Sequence, residues 1–535
     1  MPTLPIPFSL PLTARTWAKA IGSSAKDQQL INAFYETASD NEQGSKILYV
    51  TKRAGSTTGT SIGSGVIALV NYASLGPYFS TTTGFFASDG SSLGVLDGQV
   101  SYYNNYVLAD IQVDTKYILA WATTNKTGWF LYSDAATQNY PTFTGDTHTN
   151  TVIDNLASTD GIYVGQLLSG TGIQAGTRVA TITSSSAITV TLATTATNAG
   201  VTITKEAIAK IIDADFPSSV SSVASLKGRF FWADDSNSRI YQSNLNDPSA
   251  YTTDGYITPD YSGDPLQFIF KVDQYIVASG FYNTLEYFQF GQSSSGSVLS
   301  FASVVNGINI PFNAPIILNG EYFCIATNAN PTLGIGQYGL YKITGTDFQR
   351  ISDDILSSVI TDNHGSALGI ANIGNKSILL IIATNDSIAY DPSTNQFSIL
   401  DPTSTITSSA GDVFTRSGSS SYLNWATGNT WQDSSVAFTM TAQTQPYALN
   451  KGKGFVINSV ELLADTESSG LATLSISGDD YVTFRSPGSF NLTRTTKRVH
   501  RCGYYRNHAI FKIEDSGNNP ARFQGLYVDW EPCDG

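Results

Sequence analysis

A strand–turn–strand unit returns along this chain about every 45 residues, and that spacing limits the fold more than any other feature. It reads YILAWATTNKTGWFLYSD at 117–134, FFWADDSNSRIYQSN at 230–244 and YIVASGFYNTLEYFQF at 275–290. It continues as YFCIATNANP…YGLYKIT at 322–344 and ILLIIATNDSIAYDPST at 378–394. A weaker copy, VIALVNYASLGPYFS, opens at Val66, and a partial one, YLNWATGNTWQDSS, at Tyr422. The wide gap between 117 and 230 holds a stretch of foreign composition, 141–204; without it the spacing there matches the rest. Units this small cannot each bury a core, so they must stack on one another. An all-β chain with this period predicts a β-propeller. We expect six blades over 66–434, with seven as the alternative, because 422–435 can complete a blade of its own.

Each unit has a local logic. The first strand is a nearly unbroken apolar run, as at 378–383, which suits a strand covered on both faces. A turn rich in Asn, Asp, Ser and Gly follows. The second strand alternates, as in Ser238-Arg239-Ile240-Tyr241 and Ser387-Ile388-Ala389-Tyr390, which predicts one packed face and one open face. Asp247-Pro248 and Asp391-Pro392 close two units with turn dipeptides. Helix is expected only in short pieces, at 27–39 and 353–360.

The remaining chain divides around the repeats. Residues 1–65 are a Pro-rich arm followed by a platform segment, and 435–535 are a separate C-terminal β-rich domain without the repeat. The 141–204 stretch is built from Thr, Ser, Ala, Gly and β-branched residues, which predicts a small inserted β-domain budding from a loop. It resembles a module that recurs as an insertion in bacteriophage structural proteins. The matching residues are Val164, Gly165, SGTGI at 169–173, Gly176 and Thr177.

Charge and reactive residues exclude several functions. The net charge of −14 argues against a general nucleic-acid binder, which needs a basic surface. Three cysteines are too few for a disulfide framework, and no apolar run has the length of a membrane span. The N-terminal MPTLPIPFSLPL lacks the basic start of a signal peptide, so synthesis in a reducing cytoplasm is expected. His148, His364, His500 and His508 have no second ligand at metal spacing, and no metal or cofactor is expected. Gly334-Ile335-Gly336-Gln337-Tyr338-Gly339 fits GxGxxG but precedes a strand, so it reads as a hairpin loop. SGDDYVTF at 477–484 is similar to the Asp-box of propeller sialidases, but with Tyr481 for its Gly and Phe484 for its Trp it reads as a hairpin turn. Asp234, Asp235, Asp247, Asp254, Asp260 and Asp264 could offer oxygen to calcium, though solvated turn carboxylates are the simpler expectation. No catalytic residues are assigned.

One charge cluster stands apart. Arg494, Lys497, Arg498, Arg501 and Arg506 gather 5 of the 29 basic residues within thirteen positions, interleaved with Tyr504 and Tyr505. They form the candidate contact with a neighbouring subunit, an adaptor protein or DNA. An ordinary solvated strand pair is the plainer reading.

These segments together bring a family into view. LKGRFFWADDSNSRIYQSNLNDPSAY at 226–251, DPLQFIFKVDQYIVASGFYNTLEYFQFGQ at 264–292 and VVNGINIPFNAPIILNGEYFCIA at 304–326 carry the resemblance, with SGDDYVTFRSP and KRVHRCGYYRNHAIFKIE near the C-terminus. The chain resembles the tail nozzle, or packaged-DNA stabilization, proteins of short-tailed bacteriophages. The resemblance implies a non-enzymatic virion protein made in the host bacterial cytoplasm, a homohexamer at the tail tip. It implies a tail adaptor above, a tail needle or tail fibres and spikes nearby, and genomic DNA passing through without sequence specificity. The rival reading is a carbohydrate-binding or carbohydrate-cleaving propeller that recognises a receptor. It would use Trp121, Trp129, Trp232 or Trp425 to stack on sugars, unless these lie between blades. A secreted bacterial repeat scaffold is a third reading.

Overall fold

Apolar runs separated by Asn, Asp and Gly turns form strands throughout the computed structural model of the chain. The structure describes residues 3–7, 29–39, 46–61, 68–72, 76–81, 84–101, 109–113, 116–136, 142–261, 263–291, 296–311, 314–328, 338–352, 360, 367–382, 387–400, 406–410, 413–416, 421–425, 430–450, 453–479 and 481–533. Among these, seven antiparallel units, each four strands wide, follow one another along the chain. They occupy 68–95, 109–132 with 205–210, 222–257, 266–306, 308–350, 367–400, and 406–425. In the second to sixth units the repeat seen in the sequence is the middle hairpin, for example Lys376–Ile382 with Ser387–Asp391. The weak copy at 66–80 is instead the first hairpin of the first unit, and the partial copy at 422–435 is not a hairpin within one unit.

Six apolar clusters each join one unit to the next. Phe85 and Leu93 of the first pack on Trp121 and Leu131 of the second. Phe130 of the second packs on Phe230 and Trp232 of the third. Ile240 meets Ile269 and Phe288, Tyr287 meets Cys324 and Tyr341, Phe323 meets Leu379, and Leu380 meets Phe414 and Trp425. The first strand of the seventh unit, Ile406–Ala410, lies against Ala68–Tyr72 of the first, which closes the ring. The fold is a β-propeller, and the described residues form seven blades rather than the six first expected. The seventh is assembled from both ends of the chain. Its outer strand is Ser56–Ser61, paired with Ser421–Trp425. No local pattern around 422 could reveal a partner more than 350 residues away.

Two local expectations change. Where a helix was expected over 27–39, the described part, 29–39, is extended, as Gln29–Ile31 and Ala33–Ser39, because Leu30, Phe34 and Tyr35 are drawn into sheet cores. Of the second expected helix, 353–359 lies outside the described residues. Ser387–Asp391 is buried along its whole length and has no open face, whereas Arg239–Gln242 alternates as expected.

The terminal segments build one β-sandwich instead of an arm and a separate domain. One sheet runs Ala33–Ser39, Lys46–Lys52, Arg522–Pro532, Phe455–Ala464, Arg498–Tyr505, with Thr3–Pro7 added on Arg522–Pro532. The facing sheet contains Gln29–Ile31, Met440–Gln443, Ile510–Asp515, Leu471–Ser477 and Arg485–Asn491. Ile6, Leu30, Tyr35 and Val50 share a core with Phe455, Leu474, Phe511 and Phe523.

The sandwich is tied to the ring by buried charge. Arg53 makes two parallel bonds to Asp433, at 2.9 and 2.6 Å, and a third to Asn32 Oδ1 at 2.9 Å. Its guanidinium lies 3.7 Å from the Phe438 ring centroid. Lys52 next to it donates to Asp515 at 2.8 Å and to the Gly517 carbonyl at 2.5 Å. Burial is costly for these charges, but every one has a fixed partner. Nothing in the sequence reading singled out this group.

The 141–204 insert has its own core, which includes Ile153, Leu168, Val179, Ile188 and Ile203. It is not merely hung from a loop. The strand Asn198–Lys210 begins in the insert and ends as the outer strand of the second blade. Gln166–Gly170 pairs with that same strand, so the insert widens the blade. Tyr163 stacks on Tyr132 at 3.8 Å and donates to Asp134 at 2.7 Å.

Candidate functional site

The C-terminal basic segment folds as Arg498–Tyr505, the last strand of its sheet. Up to His500 it alternates strictly, with Lys497 and Val499 buried and Arg498 and His500 exposed. Continued alternation would bury Arg501. Instead Arg501 takes a left-handed φ of 60° at a bulge in its own strand, where Arg501 and Cys502 together face the single step from Ile457 to Ser459. That extra residue keeps Arg501 in water and returns Cys502 to the core. Gly503 is also left-handed, with φ of 109°, so the edge is broken for strand addition.

The structure divides the sequence-selected residues into two groups. Arg494, Arg498, Arg501, Tyr504 and Arg506 are exposed. Lys497 and Tyr505 are buried. Lys497 is 1 % exposed and donates to the Ala464 carbonyl at 3.0 Å, and its burial lowers its pKa. Tyr505 lies in the sandwich core and donates to the Cys502 carbonyl at 2.9 Å. Arg498 is partnered by Glu461 on the neighbouring strand. Tyr504 is 60 % exposed, and its ring lies so close over Gly454 that a Cβ there would overlap it.

A recess of about 260 Å³ opens beside this strand. It joins two features that are far apart in the sequence reading, the Asp-box-like turn and the basic strand. Asp479, Thr483 and Arg485 come from the turn and the strand after it; Gly503, Tyr504, Tyr505 and Arg506 come from the sheet edge. Asp479 accepts from Thr483 N at 2.8 Å, from the Thr483 hydroxyl and from Ser477 Oγ at 2.8 Å. The Thr483 bonds pull its pKa down to about 2. Its oxygens therefore brace the turn. Among the described residues, Arg485, Arg494, Arg501 and Arg506 have no hydrogen-bonded or ion-paired side-chain partner. Arg485 was missed in the sequence because it stands nine positions before Arg494, outside the dense cluster.

The residues named for other chemistries have structural work. Trp121, Trp129 and Trp232 are at most 1 % exposed, and Trp425 is 4 % exposed. Trp121 stacks on Phe85 at 4.5 Å and Trp425 on Phe414 at 3.9 Å, so the four lie inside or between blades. Asp234 accepts from Ser236 N, Asn237 N and Asn237 Nδ2 at 3.1, 3.1 and 2.8 Å. Asp264 caps Tyr282, Asn283 and Thr284. Asp247 and Asp391 make one Asp-Pro-Ser turn twice, each accepting from the Ser N and Oγ two residues on. His148 pairs with Asp154 at 2.8 Å within the insert. His364 and Gly334–Gln337 of the GxGxxG match lie outside the described residues.

No known family profile matches the chain, and no curated relative is found. Among solved structures, an exo-β-1,3-galactanase from Phanerochaete chrysosporium is 12 % identical, covering 84 % of this chain and 100 % of that one, with a TM-score of 0.31. A chain of the mitotic checkpoint complex is 9 % identical over 70 % of this chain and 92 % of its own, with a TM-score of 0.34. BamB from Moraxella catarrhalis is 11 % identical over 56 % and 94 %, with a TM-score of 0.19. Likenesses this loose carry no argument about activity, and the propeller rests on the sheet order and closing contacts of the chain itself.

Proposed function

We propose that this chain is a structural subunit of a bacteriophage tail, a nozzle that retains packaged DNA and conducts it into the host. The observation that carries the reading is where the resembling segments fall. Residues 226–251 and 264–291 lie in the third and fourth blades, 304–311 and 314–326 feed the fifth, 485–487 and 498–505 lie on edge strands of the sandwich, and 510–514 lie inside it. The resemblance therefore follows the scaffold. In the same scaffold the four tryptophans that could have stacked on sugars are packed as core. The braced carboxylates of the turns also favour a rigid frame over acid–base chemistry. A propeller tied to a sandwich by a buried ion pair, Arg53 with Asp433, suits a part that must withstand pressure without deforming. The net charge of −14 favours DNA passing without adhesion.

The test is disruption of the gene in the phage that encodes it, followed by particle analysis. Particles with intact heads that leak DNA and lack this protein are the expected result. Particles that hold their DNA and contain every tail component would overturn the reading. A glycan array provides the opposite test, because saturable sugar binding would move the chain to the receptor-binding class.

A further inference from the structure

We propose that the recess between Arg485 and Arg506 is an acceptor for a carboxylate side chain from a neighbouring protein chain. The inference rests on the assembly reading above for its natural occupant, while its chemistry is tested separately.

Ten described cations of this acidic molecule are already paired with a carboxylate: Lys52, Arg53, Lys116, Lys126, Lys210, Lys342, Lys376, Arg498, Lys512 and Arg522. Against that background, two guanidinium groups without such a partner line one recess. They come from different sheets: Arg485 begins the strand Arg485–Asn491, and Arg506 follows Arg498–Tyr505. The one carboxylate in the lining, Asp479, is held by Thr483 and Ser477. A planar guanidinium binds a carboxylate through two parallel bonds, so two of them can hold one acidic side chain from both sides. Tyr504, more than half exposed, supplies an aromatic wall for the carbon stem of that side chain.

Phosphate has the same oxyanion chemistry, and the surroundings decide between the two. A recess of about 260 Å³ admits a side chain rather than a tract of polymer backbone. A duplex would also bring many further charges against a chain of net −14. A single inserted carboxylate feels chiefly the charges within a screening length of about 8 Å.

The probe is a rhodamine-labelled, amidated peptide, GDEGDEG, compared with GNQGNQG and with a labelled single-stranded oligo-dT. Binding is followed by fluorescence anisotropy at low and at physiological salt. We expect the acidic peptide to bind, the amide peptide not to, and Arg485→Gln with Arg506→Gln to weaken binding about tenfold or more. Arg494→Gln, outside the recess, should change it less than about threefold. Arg→Lys at both positions keeps the charge and loses the fork, so recovery of only part of the affinity is expected. Melting curves establish that the variants fold; Arg506→Gln alone serves where the pair does not. Absence of acidic-peptide binding, or binding unchanged in the variants, overturns the proposal. Oligo-dT binding of equal strength and equal arginine dependence also overturns it, and assigns the recess to phosphate. Failure here leaves DNA retention by particles untouched, so the two readings fall separately.

Discussion

Arg53 carries a charge at 1 % exposure, and four of its five N–H donors are engaged. Removing its partner leaves that charge unpaired in the interior. Asp433→Asn should cost about 3–5 kcal/mol. Urea unfolding of Asp433→Asn, Arg53→Met and the double variant checks it, with the double expected to be less destabilised than the sum of the singles. Lys497 poses a related question at the sandwich edge. Lys497→Met removes a buried donor to the Ala464 carbonyl, so stability should fall by about 1–3 kcal/mol while peptide binding at the recess stays level. Asp479 gives a pH signature. Its pKa is depressed in the fold, so its contribution is full above the ordinary carboxylate value near 3.8 and fades as pH falls towards about 2. Hydrogen exchange at Thr483 should accelerate across that window and not above it. The Asp-Pro-Ser turns were legible in the sequence because the whole device lies within three residues. Lys497 was not distinguishable from Arg498, because which of two adjacent cations faces water is set by the register of their strand on Phe455–Ala464.

Elements show the same divide between local and distant causes. The middle hairpin of the second to sixth blades was readable because apolar run, turn and return strand are contiguous. The seventh blade and the sandwich were not, since their strands come from both ends of the chain. The crossing point between them is Gly55. An added Cβ there would meet the Gln432 carbonyl oxygen at 2.1 Å, and backbone cannot turn aside as a side chain can. Gly55→Ala should therefore destabilise by about 1–3 kcal/mol, seen as a lower urea midpoint. The insert requires a finer prediction than its sequence suggested. As a loop passenger it would leave the melting temperature unchanged on removal. Its stacking on Tyr132 and its pairing with the outer blade strand mean that deletion exposes part of the second blade. The expected product folds but melts lower, and Tyr163→Ala alone should cost about 0.5–1.5 kcal/mol from the lost ring pair. Scanning calorimetry of both variants measures this, and an unchanged melting temperature in both would show that the insert carries no load.

For the whole molecule, the question is how an acidic ring engages its neighbours. A net charge of −14 opposes self-association at long range, so an assembly surface must gather the opposite sign locally. The exposed arginines along the sandwich edge do so, on the opposite sheet edge from Ala33–Ser39. Arg498 is a poor probe of that surface, because its reversal would set two carboxylates against each other at Glu461 and disturb folding by itself. Arg494 and Arg501 have no such partner among the described residues and are the better pair. Arg494→Glu with Arg501→Glu should leave the melting curve within about 0.5 kcal/mol of the parent, as for exposed sites. Like charges opposed across a contact are costly, so on the proposed tail function the same variant should fail to enter tails. Particle composition and DNA retention give the readout. Particles that take up the variant and keep their DNA would remove this edge from the assembly. Particles that take it up but release DNA abnormally would place the edge along the path of the genome.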